Sequence, residues 1–207
     1  MSEGIDFSYM FRGCPLLDIK PLENWKDNVF KGTIFSSMFC DCSSLENLDA
    51  LKDWNVSNGI NFSWMFSHCS KLKDIKGLEK WKVSKGQNFS CMFRECSSLE
   101  NFDALKNWDV SNGNNFASMF NNTKIIDLKP LEKWNVSKGK NFSCMFRECS
   151  LLEDLSPLEN WNISNGNNFF NTFVWTKVNL AKKQLNNWKI KTIDYECMFK
   201  PNSLIEK

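Results

Sequence analysis

The stretch Leu72–Ser98, LKDIKGLEKWKVSKGQNFSCMFRECSS, decides the fold because the chain passes through it repeatedly with small changes. Tryptophan marks the repeat at intervals of 29, 27, 27, 26, 27 and 27 residues. It occurs at Trp25, Trp54, Trp81, Trp108, Trp134, Trp161 and Trp188. A period of roughly 20 to 50 residues is typical of solenoids, propellers and arrays. We therefore predict a stack of similar units, and each unit is called a coil below.

Composition excludes several classes of protein. The 207 residues are 42% hydrophobic, which is enough for a core, and Lys+Arg 26 against Asp+Glu 24 leaves a net charge of +2. Such a balance gives no electrostatic footprint for nucleic acid. The sequence shows neither an apolar run long enough for a membrane span nor a cationic, apolar leader. This pattern favours the inside of a cell (a host cytoplasm, for a viral protein) over the cell surface.

The segment around each Met-Phe pair has helical spacing. Phe62, Met65, Phe66, Cys69 and Leu72 lie at offsets 0, 3, 4, 7 and 10, which correspond to one face of an α-helix. The Asn and Ser residues before this face are of the types that cap helix starts. We therefore predict one short helix per coil.

Leucines spaced by threes follow the cysteine, as at Leu45, Leu48 and Leu51 before Trp54. This spacing indicates a very short parallel strand around Leu48 or Ile75, a 3₁₀-like stretch towards the Trp, and a second brief extended piece at the Val. A glycine then marks a corner for which we expect a positive φ. These glycines are Gly59, Gly86, Gly113, Gly139 and Gly166.

Together these patterns predict an α/β repeat solenoid of leucine-rich-repeat type, with one short helix and one or two very short parallel strands per turn. We expect residues 1–207 to form a single solenoid domain of about seven turns plus partial terminal turns. Ordering one coil costs about as much free energy as burying its apolar side chains contributes. One coil alone is therefore not expected to fold.

Coils two apart agree better than coils one apart. LEKWKVSKGQNFSCMFRECS, from Leu78, matches the sequence from Leu131, whereas LENLDALKDWNVSNG, from Leu45, matches the sequence from Leu99. The position before the glycine alternates as Asn58, Lys85, Asn112, Lys138 and Asn165. Either the spacing keeps like charges beyond the screening length of about 8 Å, or it was inherited from a duplicated pair of coils.

The pattern MF-x-x-CSSL-x-x-L followed by W-x-VS-x-G-x-NFS resembles the 26-residue repeat of the BspA-like leucine-rich-repeat proteins. The resemblance covers nearly the whole chain. It implies a leucine-rich-repeat-like solenoid that serves adhesion or protein binding, as in bacterial surface lipoproteins, protists and giant viruses. It also implies no shared catalytic residues.

The residues with reactive side chains have simpler structural explanations. The cysteines at the end of the Met-Phe segment form a row that fits small core residues better than a tetrahedral metal site. Carboxylates near Asp49 and Asp74 fit a solvated mixed-charge face better than a calcium row. His68, the single histidine, takes a place that surface residue types fill in other coils. The row of Asn61, Asn88, Asn115, Asn141 and Asn168 is expected to satisfy backbone groups from coil to coil.

No nucleophile with an adjacent base, phosphate loop or cofactor fingerprint occurs, so we expect neither an enzyme nor a cofactor, catalytic or metal site. We predict a module that binds a protein partner through the polar residues between the core positions. These residues are Glu46, Asn47, Asp49, Lys73, Asp74, Lys76, Glu100, Asn101 and Asp103. The alternatives are an assembly protein that self-associates through uncapped solenoid ends, and an exported adhesin whose leader lies outside this sequence.

Overall fold

The computed structural model describes residues 5–26, 29–178, 185–188 and 192–200. Its coils stack in parallel, so that each side chain lies next to its counterpart in the neighbouring coil. Two strands, β1 (Ile5–Asp6) and β2 (Gly32–Ile34), pair in parallel, and single-residue parallel bridges continue the ladder from Ile34 onwards. The bridges join Ile34, Asn61, Asn88, Asn115, Asn141 and Asn168 in turn. This stacking is consistent with the repeat solenoid that the sequence predicts.

Short 3₁₀-helices form the side of the solenoid that precedes each tryptophan. They span Lys20–Trp25, Asp49–Leu51, Lys76–Leu78, Asp103–Leu105, Lys129–Leu131 and Ser156–Leu158, and a further one spans Val29–Lys31. The predicted 3₁₀-like stretch is therefore confirmed. The predicted strand around Leu48 or Ile75 is wrong, because these residues have ψ of 23° and 19°, far from extended backbone, and directly precede a 3₁₀-helix.

The Met-Phe segment is not helical in the coils between residues 35 and 178, so the predicted short helix is wrong there. Trp64 and His68 have φ of 61°, and backbone bonds Met65 N to Phe62 O and Cys69 N to Phe66 O close tight turns around them. A positive φ at the third residue is what a type II turn requires. Consecutive tight turns reproduce the spacing of a helical face, which is why the sequence pattern was misleading.

The backbone donors explain why turns replace the helix. Alternate residues donate to the next coil, as in Phe62 N to Asn88 O at 2.8 Å and Phe66 N to Met92 O at 3.0 Å. A helix would use these N–H groups internally. An α-helix does form in the last copy of the segment, α1 (Thr192–Phe199).

The core consists of ladders of identical side chains. Phe rings stack coil on coil with centroids 5.2–6.1 Å apart, in one row that includes Phe62 and Phe89 and a second that includes Phe66 and Phe93. Tryptophans stack at 6.4–6.5 Å, and each indole N–H of the row after Trp25 donates to a leucine carbonyl of the preceding coil, as from Trp81 to Leu51 at 3.0 Å. Every buried indole N–H is thereby satisfied by the neighbouring coil.

The repeated glycines have a different role from the predicted one. None of Gly59, Gly86, Gly113, Gly139 and Gly166 has a positive φ; only Gly13 does among the described glycines. A Cβ on Gly86 would overlap the ring of Phe89 three residues later, and the same overlap recurs in each coil. Glycine is required at this position because an aromatic ring packs against its Cα.

Candidate interaction surface

All nine residues of the predicted interaction face are exposed. They lie on the edge of the coil that runs from the cysteine row to the first residue of the 3₁₀-helix. The structure divides them into three groups, which differ in what their side chains contact.

The first group shapes the backbone. Asn47, Asp74 and Asn101 each accept, through Oδ1, the backbone N–H two residues later, at 3.2, 2.6 and 2.8 Å. Such Asx turns set the chain direction just before each 3₁₀-helix. These side chains therefore have a structural role, and less of their hydrogen-bonding capacity is available to a partner.

The second group pairs between coils. Lys73 Nζ lies 3.1 Å from Glu46 Oε2, and Lys124 Nζ lies 3.3 Å from Glu100 Oε1. Both pairs join adjacent coils on an exposed surface, where an ion pair contributes about 0.2–1 kcal/mol. Lys124 is not among the predicted residues; the coil with Thr123 brings it into place because that coil is one residue shorter.

The third group consists of charged residues without an ion-pair partner among the described residues. The side chains of Asp49, Lys76 and Asp103 make no ion pair with any other described residue. Each begins a 3₁₀-helix, and the residue three positions later carries the opposite charge. The later residues are Lys52, Glu79 and Lys106, which were not predicted. They lie on the same face because side chains at i and i+3 of a 3₁₀-helix eclipse one another.

Two columns of charge result. The first charge column is Lys20, Asp49, Lys76, Asp103 and Lys129; the second charge column is Glu23, Lys52, Glu79, Lys106 and Glu132. Together they form what we call the charge checkerboard, since the sign alternates along each column and between the columns. All ten residues are exposed. Shallow depressions lie on it, one lined by Lys76, Glu79 and Asp103 with their neighbours.

The alternation of Asn and Lys at the position before the glycine also has a structural basis. Asn58 donates through Nδ2 to Phe30 O in the preceding coil at 2.8 Å, and it accepts a bond from Lys85 Nζ in the next coil at 2.7 Å. Lys138 bonds Asn112 in the same way at 2.6 Å. The Asn and Lys of two consecutive coils therefore act as a pair, which neither of the two sequence explanations included.

The asparagine row works within its own coil rather than between coils, contrary to the prediction. Asn61 Oδ1 accepts the backbone N–H of Ser63 at 3.0 Å, and Asn88 and Ser90 repeat the contact at 3.0 Å. The backbone of the row makes the coil-to-coil bridge.

The cysteine row lies in the core. Cys69 and Cys96 are fully buried, and each Sγ donates to a phenylalanine carbonyl of the preceding coil at 3.2 and 3.1 Å. Burial raises the pKa of both thiols, and it raises the pKa of Cys149 to about 12. All nine cysteines are free thiols. A protonated buried thiol is neither a nucleophile nor a metal ligand.

Among the described residues, no three His, Cys, Asp or Glu side chains come together as metal ligands would. Over the same ranges, no helix has the length and apolar character needed to cross a bilayer.

A second surface feature lies on the Met-Phe side and was not predicted. The guanidinium of Arg94 lies 5.5 Å from the ring centre of Trp64, and that of Arg147 lies 4.5 Å from the ring centre of Trp175. Both tryptophans are exposed and have positive φ. Cation–π contacts of this kind contribute about 0.5–1 kcal/mol at exposed sites.

Comparison with solved structures shows the fold. Internalin C2 from Listeria monocytogenes is similar to this chain with a TM-score of 0.50 and 16% sequence identity, over 92% of this chain and 76% of that one. The internalin is a leucine-rich-repeat protein, so the chain has a leucine-rich-repeat-like fold. No curated protein matches the chain.

Comparison with family profiles gives a match in two overlapping parts, residues 5–126 and 99–207. The family is described as "Mycoplasma protein of unknown function, DUF285". The two matches span nearly all of the repeats described above. The chain therefore belongs to the DUF285 family.

Proposed function

We propose that this protein is a non-enzymatic module that binds a protein partner through the exposed edge formed by Glu46, Asn47, Asp49, Lys73, Asp74, Lys76, Glu100, Asn101 and Asp103. The observation that carries the proposal is that the ladder of coils presents Asp49, Lys76 and Asp103 on this edge as exposed charges that form no ion pair with any other described residue. The leucine-rich-repeat-like fold supports binding of protein in general.

Within the edge, Asp49, Lys76 and Asp103 are the strongest candidates for contacting a partner. Their side chains are exposed and form no ion pair within the described part of the chain, whereas Asn47, Asp74 and Asn101 are occupied by their Asx turns. Because the 3₁₀-helix backbone that carries these charges is already ordered, binding costs the entropy of the side chains but little entropy of the backbone.

The test is a pull-down from the native source with the wild-type chain and with the triple variant Asp49→Ser, Lys76→Ser and Asp103→Ser. Serine is already present at this position as Ser156, so the fold should tolerate it. We expect capture of the partner to fall about tenfold, as for the loss of a few interface charges. The matched control, Gln87→Asn with Lys140→Asn, changes another edge to the residue found at Asn114 and Asn167. Equal capture by wild type, triple variant and control would contradict the proposal.

We also propose that residues 1–207 form one solenoid domain, and that the chain lies with the BspA-like group among leucine-rich-repeat-like proteins. Parts of this range, 1–4, 27–28, 179–184, 189–191 and 201–207, lie outside the described residues. The continuous match of the repeats supports the single domain. Limited proteolysis tests it, because a stable fragment ending near the middle of the chain would indicate two units.

A further inference from the structure

The charge checkerboard has a symmetry that specifies its own partner. In every coil from Lys20 to Glu132 the first and second columns carry opposite signs, and both signs reverse in the next coil. The pairs are Lys20 with Glu23, Asp49 with Lys52, Lys76 with Glu79, Asp103 with Lys106, and Lys129 with Glu132.

Contacts within the chain leave these charges available. The neighbouring column pairs between coils, at 3.1 Å for Lys73 with Glu46, so oppositely charged residues of adjacent coils can meet where their side chains point together. None of the ten checkerboard residues makes such a pair with another described residue. All ten are exposed.

We propose that the checkerboard binds a second copy of this chain, side by side and parallel, about a two-fold axis that runs along the stack. Under this operation each coil faces the same coil of the second copy, and the first column faces the second. Lys76 then meets Glu79 of the other copy, and Glu79 meets its Lys76. An isologous contact of this kind uses one surface twice.

The charge pattern selects this arrangement over its competitors. A shift of one coil brings equal signs together at every position, because the signs reverse from coil to coil. An antiparallel arrangement that overlaps six coils places Glu23 against Glu159, whose coil carries Ser156 in place of a charge. The parallel arrangement in register pairs all ten charges.

This inference rests on the proposed function, since it names a partner for the same side of the solenoid. Five coils at about 4.8 Å each give a patch about 24 Å long. Because the patch is only two side-chain columns wide, its area is well below the roughly 800 Å² per partner of a standard interface. The dimer is therefore weak and held mainly by charge. It dissociates as salt shortens the screening length.

Two rearranged variants test the pairing. The first-column variant is Asp49→Lys, Lys76→Asp, Asp103→Lys and Lys129→Asp; the second-column variant is Lys52→Glu, Glu79→Lys, Lys106→Glu and Glu132→Lys. Both keep the net charge at +2. In most coils the new charge has the sign that the equivalent residue of an adjacent coil already has. In each variant the two columns have equal signs within each of the four altered coils, so copies of one variant repel, whereas the two variants complement each other.

Sedimentation velocity over a concentration series is the measurement. We expect wild type to associate at about 20 mM salt and to be monomeric at about 500 mM. Each variant alone should associate at least about tenfold more weakly, and an equimolar mixture should recover the association of wild type. Thermal unfolding of each variant checks that the coils remain folded.

Three results would overturn the inference: a wild-type chain that stays monomeric at low salt, variants that each associate as wild type does, or a mixture that fails to associate. The second result would indicate antiparallel pairing, in which each column faces itself. None of them would affect a partner protein captured through Asp49, Lys76 and Asp103, so the proposed function is tested separately.

Discussion

The glycine that precedes each asparagine of the repeat lies under an aromatic ring, and Gly86 shows what a side chain there would meet. Its Cβ would overlap the Phe89 ring and lie 2.9 Å from Val83 O. We expect Gly86→Ala to lower the free energy of unfolding by about 1–3 kcal/mol through overpacking, measured by urea denaturation.

Two further variants distinguish packing from backbone conformation. Gln87→Ala is the control, because truncation of this exposed side chain should change the free energy of unfolding by no more than about 0.5 kcal/mol. Gly86→Asn is the discriminating variant, since asparagine tolerates positive φ but is larger than alanine. If Gly86→Asn were more stable than Gly86→Ala, the packing explanation would be wrong.

Buried thiols give the protein a pH dependence on the alkaline side. Burial raises the pKa of Cys149 from 9.0 to about 12, so in this interval the unfolded chain releases a proton that the folded chain retains. Stability is therefore fully present below pH 9 and falls as pH rises towards 12, by about 1.4 kcal/mol per pH unit for one thiol.

We expect Cys149→Thr to reduce this alkaline slope, measured by urea unfolding at several pH values from 8 to 11 (roughly the range in which the thiol titrates when unfolded). Threonine is the matched replacement, because Thr123 fills the same row one coil earlier and donates to Phe120 O. The two proteins differ only at residue 149, so the difference between the two slopes isolates the thiol. Identical slopes would contradict a buried, protonated Cys149.

At the scale of elements, the Asx turn before each 3₁₀-helix is a separate contribution to stability. Asp74 Oδ1 accepts the Lys76 N–H at 2.6 Å. We expect Asp74→Ala to cost about 1 kcal/mol, as for loss of a helix cap, and Asp74→Asn to cost little because Asn47 and Asn101 make the same contact. Thermal unfolding measures both, and equal losses for the two variants would exclude the hydrogen bond as the cause.

The elements differ in how well the sequence predicts them. The 3₁₀-helices and the solenoid could be predicted, because leucines spaced by threes and the repeat period depend on local geometry. The Met-Phe segment could not, because Phe62, Met65 and Phe66 fit a helix and consecutive turns equally well. Only the backbone bonds to the next coil decide between them, and such bonds leave no spacing signal within one coil.

The interaction surface could be predicted by position but not by role. The exposed edge follows from the core spacing, and all nine of its residues are exposed. The alternation of Lys52, Glu79 and Lys106 is readable in the sequence, and only in combination with the predicted 3₁₀-like stretch does it place these residues beside Asp49, Lys76 and Asp103. The stacks of arginine on Trp64 and Trp175 join adjacent coils and depend on side-chain directions that spacing does not give.

At the scale of the whole molecule, a pair of coils is the unit that can be removed without bringing like charges of the checkerboard together. Deleting residues 72–98 takes out one coil and places Asp49 beside Asp103 and Lys52 beside Lys106. Deleting residues 72–124 takes out two and places Asp49 beside Lys129. We expect salt to stabilise the one-coil deletion, because it screens the new like-charge contacts.

The two-coil deletion serves as the control, since its charge order matches that of wild type. Each deletion also removes interfaces between coils, so absolute stability falls in both. The comparison is therefore the sign of the change in unfolding free energy with added salt. The same positive salt effect in both deletions would show that the alternation of charge has no part in coil stacking.

The stacked tryptophans affect how the protein absorbs ultraviolet light. Trp54, Trp81 and Trp108 stack with centroids 6.5 Å apart and ring planes within 4° of parallel. Electronic transitions of chromophores held this close and this regularly couple to one another. The excitation is therefore delocalised over several indoles instead of remaining on one. The near-ultraviolet absorption per tryptophan should therefore change with the number of stacked coils, so it reports how many coils are in place.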